Sequence, residues 1–460
     1  MTGTNINSIQ GACMGALDKN LAFKIIFIIY MFTNTLALGY VGITINWLFL
    51  PILIWAVVLI ISDIKNKSFF IKNHWMFFYG LILLVSTILN SYSNLLSYII
   101  AAMQLVIFIL IFYPNGRRKA GEIERELSII IPLVNVLVGV AGLISLVMFF
   151  YGFSSVKNGQ ILGIMGGNRL FGIYFNCNPA AFLSCITILM AIYGITRQYR
   201  GRVLYGMNIV IQVGYILLSK CRAATIILLL ITSCLITYHF IKGKQYKTWK
   251  NCIIFLGVVV GVIVAGVVLE EGAVWFQKLR GTYVEQQSRF QLGRIIEAVK
   301  LLVTGTKENI QKAVGILNKV SSGRIDLLET GYEVWKEYPI LGVGANNFKR
   351  IGMAITSGTT VKGAQVVHTH NVFVEALVTT GIVGFVIWMK FFIQTVKVIA
   401  RAINNSLKNM DNRYVIFTLI VVSEFIGGLF DYGVFYIYSL SATLGWMFLG
   451  YLYQMRGSDK

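Results

Sequence analysis

The sequence predicts an all-α, polytopic membrane protein with about twelve transmembrane helices, counted as apolar runs long enough to cross a bilayer. Hydrophobic residues make up 57% of the 460-residue chain and charged residues only 13%, whereas a soluble domain averages about 25% charged residues. The apolar runs are also longer than the alternating strands of a membrane barrel. We therefore expect helices rather than strands.

The predicted spans form two groups, separated by a large external loop of amphipathic helices. Nine spans lie within residues 1–269, the loop covers 270–371, and three spans lie within 372–460. A shorter external loop is expected at 152–177. The spans are expected near 21–38, 42–62, 74–90, 94–113, 128–151, 178–195, 203–219, 221–241, 252–269, 372–396, 414–430 and 433–453.

Loop charges predict the orientation of the chain. Eighteen Lys and Arg residues, against five Asp and Glu, fall in the alternate connections 63–73, 113–127, 196–203, 241–251 and 397–413. Short connections on the other side, such as "NSYSN", carry no Lys or Arg. Basic residues accumulate on the cytoplasmic side, so we expect both termini in the cytoplasm and the long loop outside. This distribution accounts for much of the net charge of +21 without a nucleic-acid partner.

The long external loop is predicted to be helical. Apolar residues repeat at helical spacing over 295–302 and again over 310–317, which favours two amphipathic helices lying on the membrane face or on each other. A further helix is expected from about Arg324 to Lys336, ended by Pro339. The stretch "GVGANN" that follows lacks the flanking strand of a phosphate-binding loop, so we interpret it as a turn.

Three arginines and a histidine fall on the external side. Arg169 lies in the first external loop, Arg222 at the outer end of the eighth span, Arg324 at a helix start, and His370 just before the tenth span. Arginine suits phosphate and histidine suits proton transfer. We therefore predict an anion site beside a base. The alternatives are arginines that reach lipid phosphates or solvent, and an ordinary interfacial histidine.

Helix direction supports the anion site. The sixth, eighth and tenth spans all run inward, so the free N–H groups of their first turns point outward. Asn178 is predicted to cap the sixth span, with Pro179 at its first position. Arg222 and the pair His370–Asn371 occupy the equivalent ends of the other two spans.

Other polar residues are weaker candidates. His368 and His370 could share a metal ion, but no third histidine is expected outside, so we predict no metal site. Intramembrane carboxylates are functional candidates by default. Glu424 is equally open to a functional and a structural role, whereas we expect structural roles for Glu375 and Asp431.

Five segments resemble the O-antigen ligase and polymerase superfamily over roughly 165–390. The most specific is "HNVFVEALVTTGIVG", a His-Asn pair followed by Gly-x-x-Gly. "RIDLL" contains Arg324, and "W…P-x-x-G-x-G…F" follows it. "NRLFGIYFNCNPAA" and "LSKCRAAT" resemble the two earlier arginine segments of the family, although Lys220 and Cys221 replace the commoner small residues.

The resemblance implies a metal-independent, inverting glycosyltransferase in the inner membrane of a bacterium. Such enzymes transfer a glycan from undecaprenyl diphosphate, on the outer face, to an acceptor hydroxyl without a cofactor. It implies that Arg169, Arg222 and Arg324 bind the diphosphate and that Arg324 and His370 are catalytic, His370 as the base. Asn371, His368 and Glu424 would be supporting residues. A flippase and a chain-length regulator are the partner proteins that the resemblance suggests.

Three readings of function remain open. In a polymerase, which is the hypothesis that we favour slightly, the acceptor is a second lipid-linked repeat unit. In a ligase, the acceptor is lipid A core or a protein hydroxyl. A transporter or flippase of lipid-linked glycans is the alternative from another class. The lack of an internal repeat, the scarcity of broken-helix signals and the elaborated external loop argue against it.

Overall fold

The structure is a computed structural model that describes residues 19–43, 45–65, 75–113, 120–165, 168–242, 248–279, 292–320, 323–356, 368–409, 411–431 and 439–455. Helices dominate this part of the chain, which confirms the all-α class. The basic segments 66–74, 114–119 and 243–247, on which the predicted orientation partly rests, lie outside the described residues.

The first group of helices contains nine that coincide with the nine predicted spans. Helix α4 continues as a π-helical turn to Phe112. The bounds are α1 Lys19–Thr35, α2 Phe49–Lys65, α3 Trp75–Leu89, α4 Leu95–Val106, α5 Ala120–Phe150, α6 Cys177–Thr196, α7 Arg202–Leu218, α8 Arg222–Lys242 and α9 Thr248–Leu279.

The remaining helices lie in the long loop and at the last three predicted spans. In the loop they are α10 Leu292–Thr304, α11 Lys307–Val320, α12 Arg324–Glu337 and α13 Phe348–Thr356. After it come α14 Val372–Asn409, α15 Asn412–Phe430 and α16 Leu440–Met455. Six helices in the described residues are long and apolar enough to cross a membrane, and two shorter apolar helices accompany them. The number of twelve spans therefore stays a prediction.

Helix α6 lies at the centre of the bundle. Fifteen of its twenty residues are buried, as expected for a helix that is apolar around its whole circumference. It packs against α5, α7, α8, α15 and α16. Helix α6 is therefore the element on which five other helices pack.

The first external loop folds into a three-stranded antiparallel sheet, which the sequence analysis did not predict. The strands are β1 Ser154–Lys157, β2 Gln160–Met165 and β3 Arg169–Gly172. Asn158 and Gly159, both with positive φ, form the turn between β1 and β2. An Asn-Gly pair is the commonest two-residue hairpin turn. The strands matter for function because Arg169 opens β3.

Helix α14 is broken at Gly381, where φ is 59° and ψ is −167°. The segment from Pro339 to Gly344 fills the break. Val343 and Gly344 donate backbone hydrogen bonds to Val378 and Thr379, and Ile382 donates to Pro339. The stretch "GVGANN" is thus a turn packed on a helix break, and the expectation of few broken helices is wrong for α14.

Glycine is required at this junction. A Cβ on Gly381 would lie 2.2 Å from the carbonyl oxygen of Ile340, and one on Gly342 would lie 2.5 Å from the nitrogen of Gly381. Both glycines also have positive φ, which side chains rarely tolerate. The two glycine motifs of the sequence, one in the loop and one in α14, are therefore two halves of one contact.

Candidate functional site

Arg169 is held by three separate elements. Asn168, with a φ of 53°, turns the chain into β3. The Nε of Arg169 donates to the carbonyl oxygen of Ser219 at the end of α7, at 2.8 Å. Its Nη2 donates to the side-chain oxygen of Asn178 in the first turn of α6. The guanidinium is therefore fixed over the start of α6.

The cap of α6 differs from the predicted one. Asn176 is the N-cap, and its side chain accepts a hydrogen bond from the backbone N–H of Asn178. The prediction that Asn178 caps this helix is wrong because the helix begins two residues earlier. Asn178 instead accepts from Arg169, so its side chain belongs to the candidate site.

Arg222 begins α8 at a sharp corner. Lys220 adopts a φ of 52° and forms an ion pair with Glu270 on α9. The buried Cys221 follows, and Arg222 itself is exposed. The corner presents the arginine at the same end of the bundle as Arg169, because Ser219, which binds Arg169, lies three residues before it.

Arg324 brings the arginines into one electrostatic group. It is the first residue of α12 and follows the N-cap Gly323, whose φ is 81°. Burial lowers the pKa of its guanidinium, and the nearby Asp431 carboxylate opposes this shift. The positive charges of Arg222 and Arg169 lower the pKa of Arg324 further. The charges of the three arginines therefore act on one another in the folded chain, and their role as an anion site stays a prediction.

His370 lies between the ends of α14 and α15. Its backbone is left-handed, with a φ of 51°, and its Nδ1 is 3.7 Å from the Oδ1 of Asp431. Asp431 is buried and is the C-cap residue of α15. We expected a structural role for Asp431 and did not predict that its carboxylate lies near both His370 and Arg324.

Asn371 caps α14. Its Oδ1 accepts from the backbone nitrogens of Phe373 at 3.0 Å and Val374 at 3.2 Å. Its side-chain nitrogen donates to the carbonyl oxygen of Leu429 at 3.4 Å. The cap therefore links the start of α14 to the end of α15 and fixes the residue before it, His370.

His368 points to a different carboxylate. Its Nδ1 is 3.8 Å from the Oε1 of Glu375. The other oxygen of Glu375 accepts from the backbone nitrogen of Thr369 at 3.1 Å and from its hydroxyl at 2.9 Å. Glu375 thus organises the turn before α14, as a structural residue would.

Glu424 lies deeper in the bundle than the rest of the site. It precedes Asp431 by seven residues, about two turns of α15, and it is buried. A Cβ on Gly445 would lie 2.7 Å from its Cγ, so its side chain packs on α16. Neither of its carboxylate oxygens has a hydrogen-bond partner among the described residues. No described contact connects Glu424 to the arginines or to His370.

Part of the chain matches a known protein family. Residues 207–389, about two fifths of the chain, match a family model described as O-antigen ligase. The matched segment contains Arg222, Arg324 and His370, whereas Arg169 and Asp431 lie outside it. No curated protein matches the chain. The match supports the resemblance of the chain to the O-antigen ligase and polymerase superfamily, whose members are membrane proteins that transfer glycosyl groups.

Proposed function

We propose that the chain takes an oligosaccharide from a polyprenyl diphosphate and joins it to the hydroxyl of a second lipid-linked repeat unit. The observation that carries this proposal is the meeting of Arg169, Arg222 and Arg324 beside the His370–Asp431 pair. A transfer from a diphosphate needs donors that stabilise the departing anion and a base that accepts the hydroxyl proton. The site offers both.

The charges of the site match those of the donor throughout the reaction. Three arginines and one aspartate leave two net positive charges, and a diphosphate diester carries two negative charges. Breaking the bond between the sugar and the diphosphate adds a negative charge to the leaving group, and the hydroxyl proton adds a positive charge to His370. Preorganised positive groups of this kind stabilise charge that develops in the transition state.

His370 and Asp431 are suited to act as a base and its orienting carboxylate. The carboxylate faces Nδ1 and favours the tautomer with its proton there, which leaves Nε2 to accept from the acceptor hydroxyl. Their separation of 3.7 Å exceeds a hydrogen bond, so a small side-chain rotation is needed for contact.

The proposed step is a direct displacement. The acceptor oxygen forms a bond to the anomeric carbon as the bond to the diphosphate breaks, which inverts that carbon. The arginines supply to the departing diphosphate the charge stabilisation that a metal ion supplies in many phosphate-binding enzymes. The proposed reaction therefore requires no metal and no cofactor, and the active site would face the outside of the cell.

The test uses purified protein in vesicles with a polyprenyl-diphosphate-linked oligosaccharide as donor and acceptor. We expect longer glycans by mass spectrometry. His370→Ala should lower turnover by about 10²–10⁴-fold, the contribution of a general base, and retain donor binding. The matched control is His368→Ala, because His368 contacts Glu375 instead. Full turnover of the His370 variant would exclude the proposed base.

A ligase is the second candidate, favoured by the description of the matching family. Mass spectrometry of lipid-linked glycans after gene deletion separates the two. Single repeat units left on the lipid indicate a polymerase, and full-length chains indicate a ligase. Movement of the lipid-linked glycan across sealed vesicles, without a new glycosidic bond, would instead indicate a transporter.

A further inference from the structure

The hairpin of α10 and α11 has an exposed apolar face. The two helices are joined by a short turn at Gly305, so they run antiparallel. They contact each other and bury Ala298 and Ala313, while larger aliphatic side chains stay exposed. The most exposed of these is Val303, at 82%.

The exposed aliphatic side chains of both helices lie on one face of the hairpin. In α10, Val299, Leu302 and Val303 lie about 40–140° around the helix from Ala298, at about 100° per residue. In α11, Ile310 and Val314 are rotated from Ala313 in the same sense. In an antiparallel pair, equal rotations away from the contact bring side chains to the same face.

The opposite face of the hairpin is polar. Lys300 is exposed there, and so is the ion pair between Glu308 and Lys312, whose charged atoms are 2.7 Å apart. An aliphatic face opposed to a lysine-bearing face is the pattern of a helix that lies in a membrane interface. The last turns of α9 also expose large apolar side chains: Trp275 and Leu279 are 64% and 65% exposed.

We infer that the apolar face of the α10–α11 hairpin inserts into the lipid leaflet nearest the candidate site. The apolar end of α9 leads into the hairpin, so lipid is the partner that covers both. This surface is separate from the arginine cluster, and the inference does not depend on the proposed reaction.

Insertion would fix the height of Arg324 relative to the lipid headgroups. The carbonyl oxygen of Asn318, near the end of α11, accepts from the backbone nitrogen of Gly323 at 2.8 Å. Its side-chain oxygen accepts from the nitrogen of Asp326 at 3.4 Å. The hairpin is thereby joined to both sides of Arg324, so its depth in the leaflet sets the position of that arginine.

The test places the photo-crosslinking residue benzoylphenylalanine at Val303 or Val314 on the apolar face, and at Lys300 or Lys312 on the polar face. Each full-length variant is reconstituted in vesicles of phosphatidylethanolamine and phosphatidylglycerol, irradiated and analysed by mass spectrometry. A probe at Val264, exposed on α9, sets the yield expected for lipid contact.

We expect phospholipid adducts at Val303 and Val314 to exceed those at Lys300 and Lys312, because only a probe on the apolar face of an interfacial helix reaches the acyl chains. Equal yields on the two faces would overturn the inference. So would crosslinked dimers, which indicate a second copy as the partner, or links within the chain, which indicate closure of the hairpin onto the protein.

Discussion

The two ends of the helical bundle differ in how their arginines are paired with acidic side chains. At the candidate site, Arg324 lies near two other arginines, Arg222 and Arg169, and near the carboxylate of Asp431. At the other ends of α6 and α15, two arginines are matched by two acids. Arg197 lies within 3.8 Å of both Glu124 and Asp411, and Arg413 binds Asp411 at 2.6 Å.

The matched end is satisfied by its own side chains. Glu124 also accepts hydrogen bonds from the hydroxyls of Tyr193 and Tyr199, both at 2.8 Å. Lys24 and Glu126 form a pair at 2.6 Å in which both side chains are fully buried. Charges paired in this way hold helices together, whereas the like charges of the three arginines oppose one another, an arrangement typical of a functional site. The contrast predicts that substitutions at one end change stability and those at the other change binding.

Lys24→Met should give the largest change in stability. It leaves Glu126 buried without its main partner, which costs about 3–5 kcal/mol for a pair of this kind. We expect a large fall in melting temperature in detergent. The matched control is Lys24→Met with Glu126→Leu, which removes both charges and should recover most of the loss. A single variant as stable as the double one would contradict the argument.

Arg324→Gln should change binding instead. Loss of one charge-assisted contact costs about 1.5–3 kcal/mol, so the affinity for a polyprenyl diphosphate should fall by roughly 10- to 150-fold. The control is Arg350→Gln, because Arg350 on α13 contacts the carbonyl oxygen of Tyr92 instead. Equal weakening by both variants would mean that general positive charge, rather than the cluster, attracts the donor.

Asp431→Asn separates catalysis from binding at the site. It keeps the shape of the side chain but removes the charge that faces His370 at 3.7 Å. We expect turnover to fall by about 10–100-fold, the usual cost of losing an orienting partner. Donor affinity should stay the same or rise, since a negative charge has left the cluster. Steady-state kinetics with separate donor binding measures both, and a parallel loss of affinity would point to misfolding.

The sequence reveals local features of this fold better than distant contacts. Helical spans follow from long apolar runs, and the Asn158–Gly159 pair was a usable signal for the hairpin that we did not predict. The break at Gly381 could not be foreseen in the same way, because it depends on Pro339 and Ile340 from another segment.

The same limit applies to the site. The sequence analysis grouped four residues because each is predicted to lie at the outer end of an element: Arg169, Arg222, Arg324 and His370. Position alone gave no sign that Asp431, sixty-one residues after His370 in the sequence, would face it. That pairing depends on how α14 packs against α15, which no local pattern encodes.

Arg197→Gln should have the smallest effect and completes the comparison between the two ends. Its side chain is 34% exposed, and its contacts with Glu124 and Asp411 are 3.7 and 3.8 Å long. A partly exposed pair of this kind contributes at most about 1 kcal/mol. We expect a small fall in melting temperature and unchanged affinity for a polyprenyl diphosphate. If Arg197→Gln weakened donor binding as much as Arg324→Gln, the excess charge at the site would not be what selects the ligand.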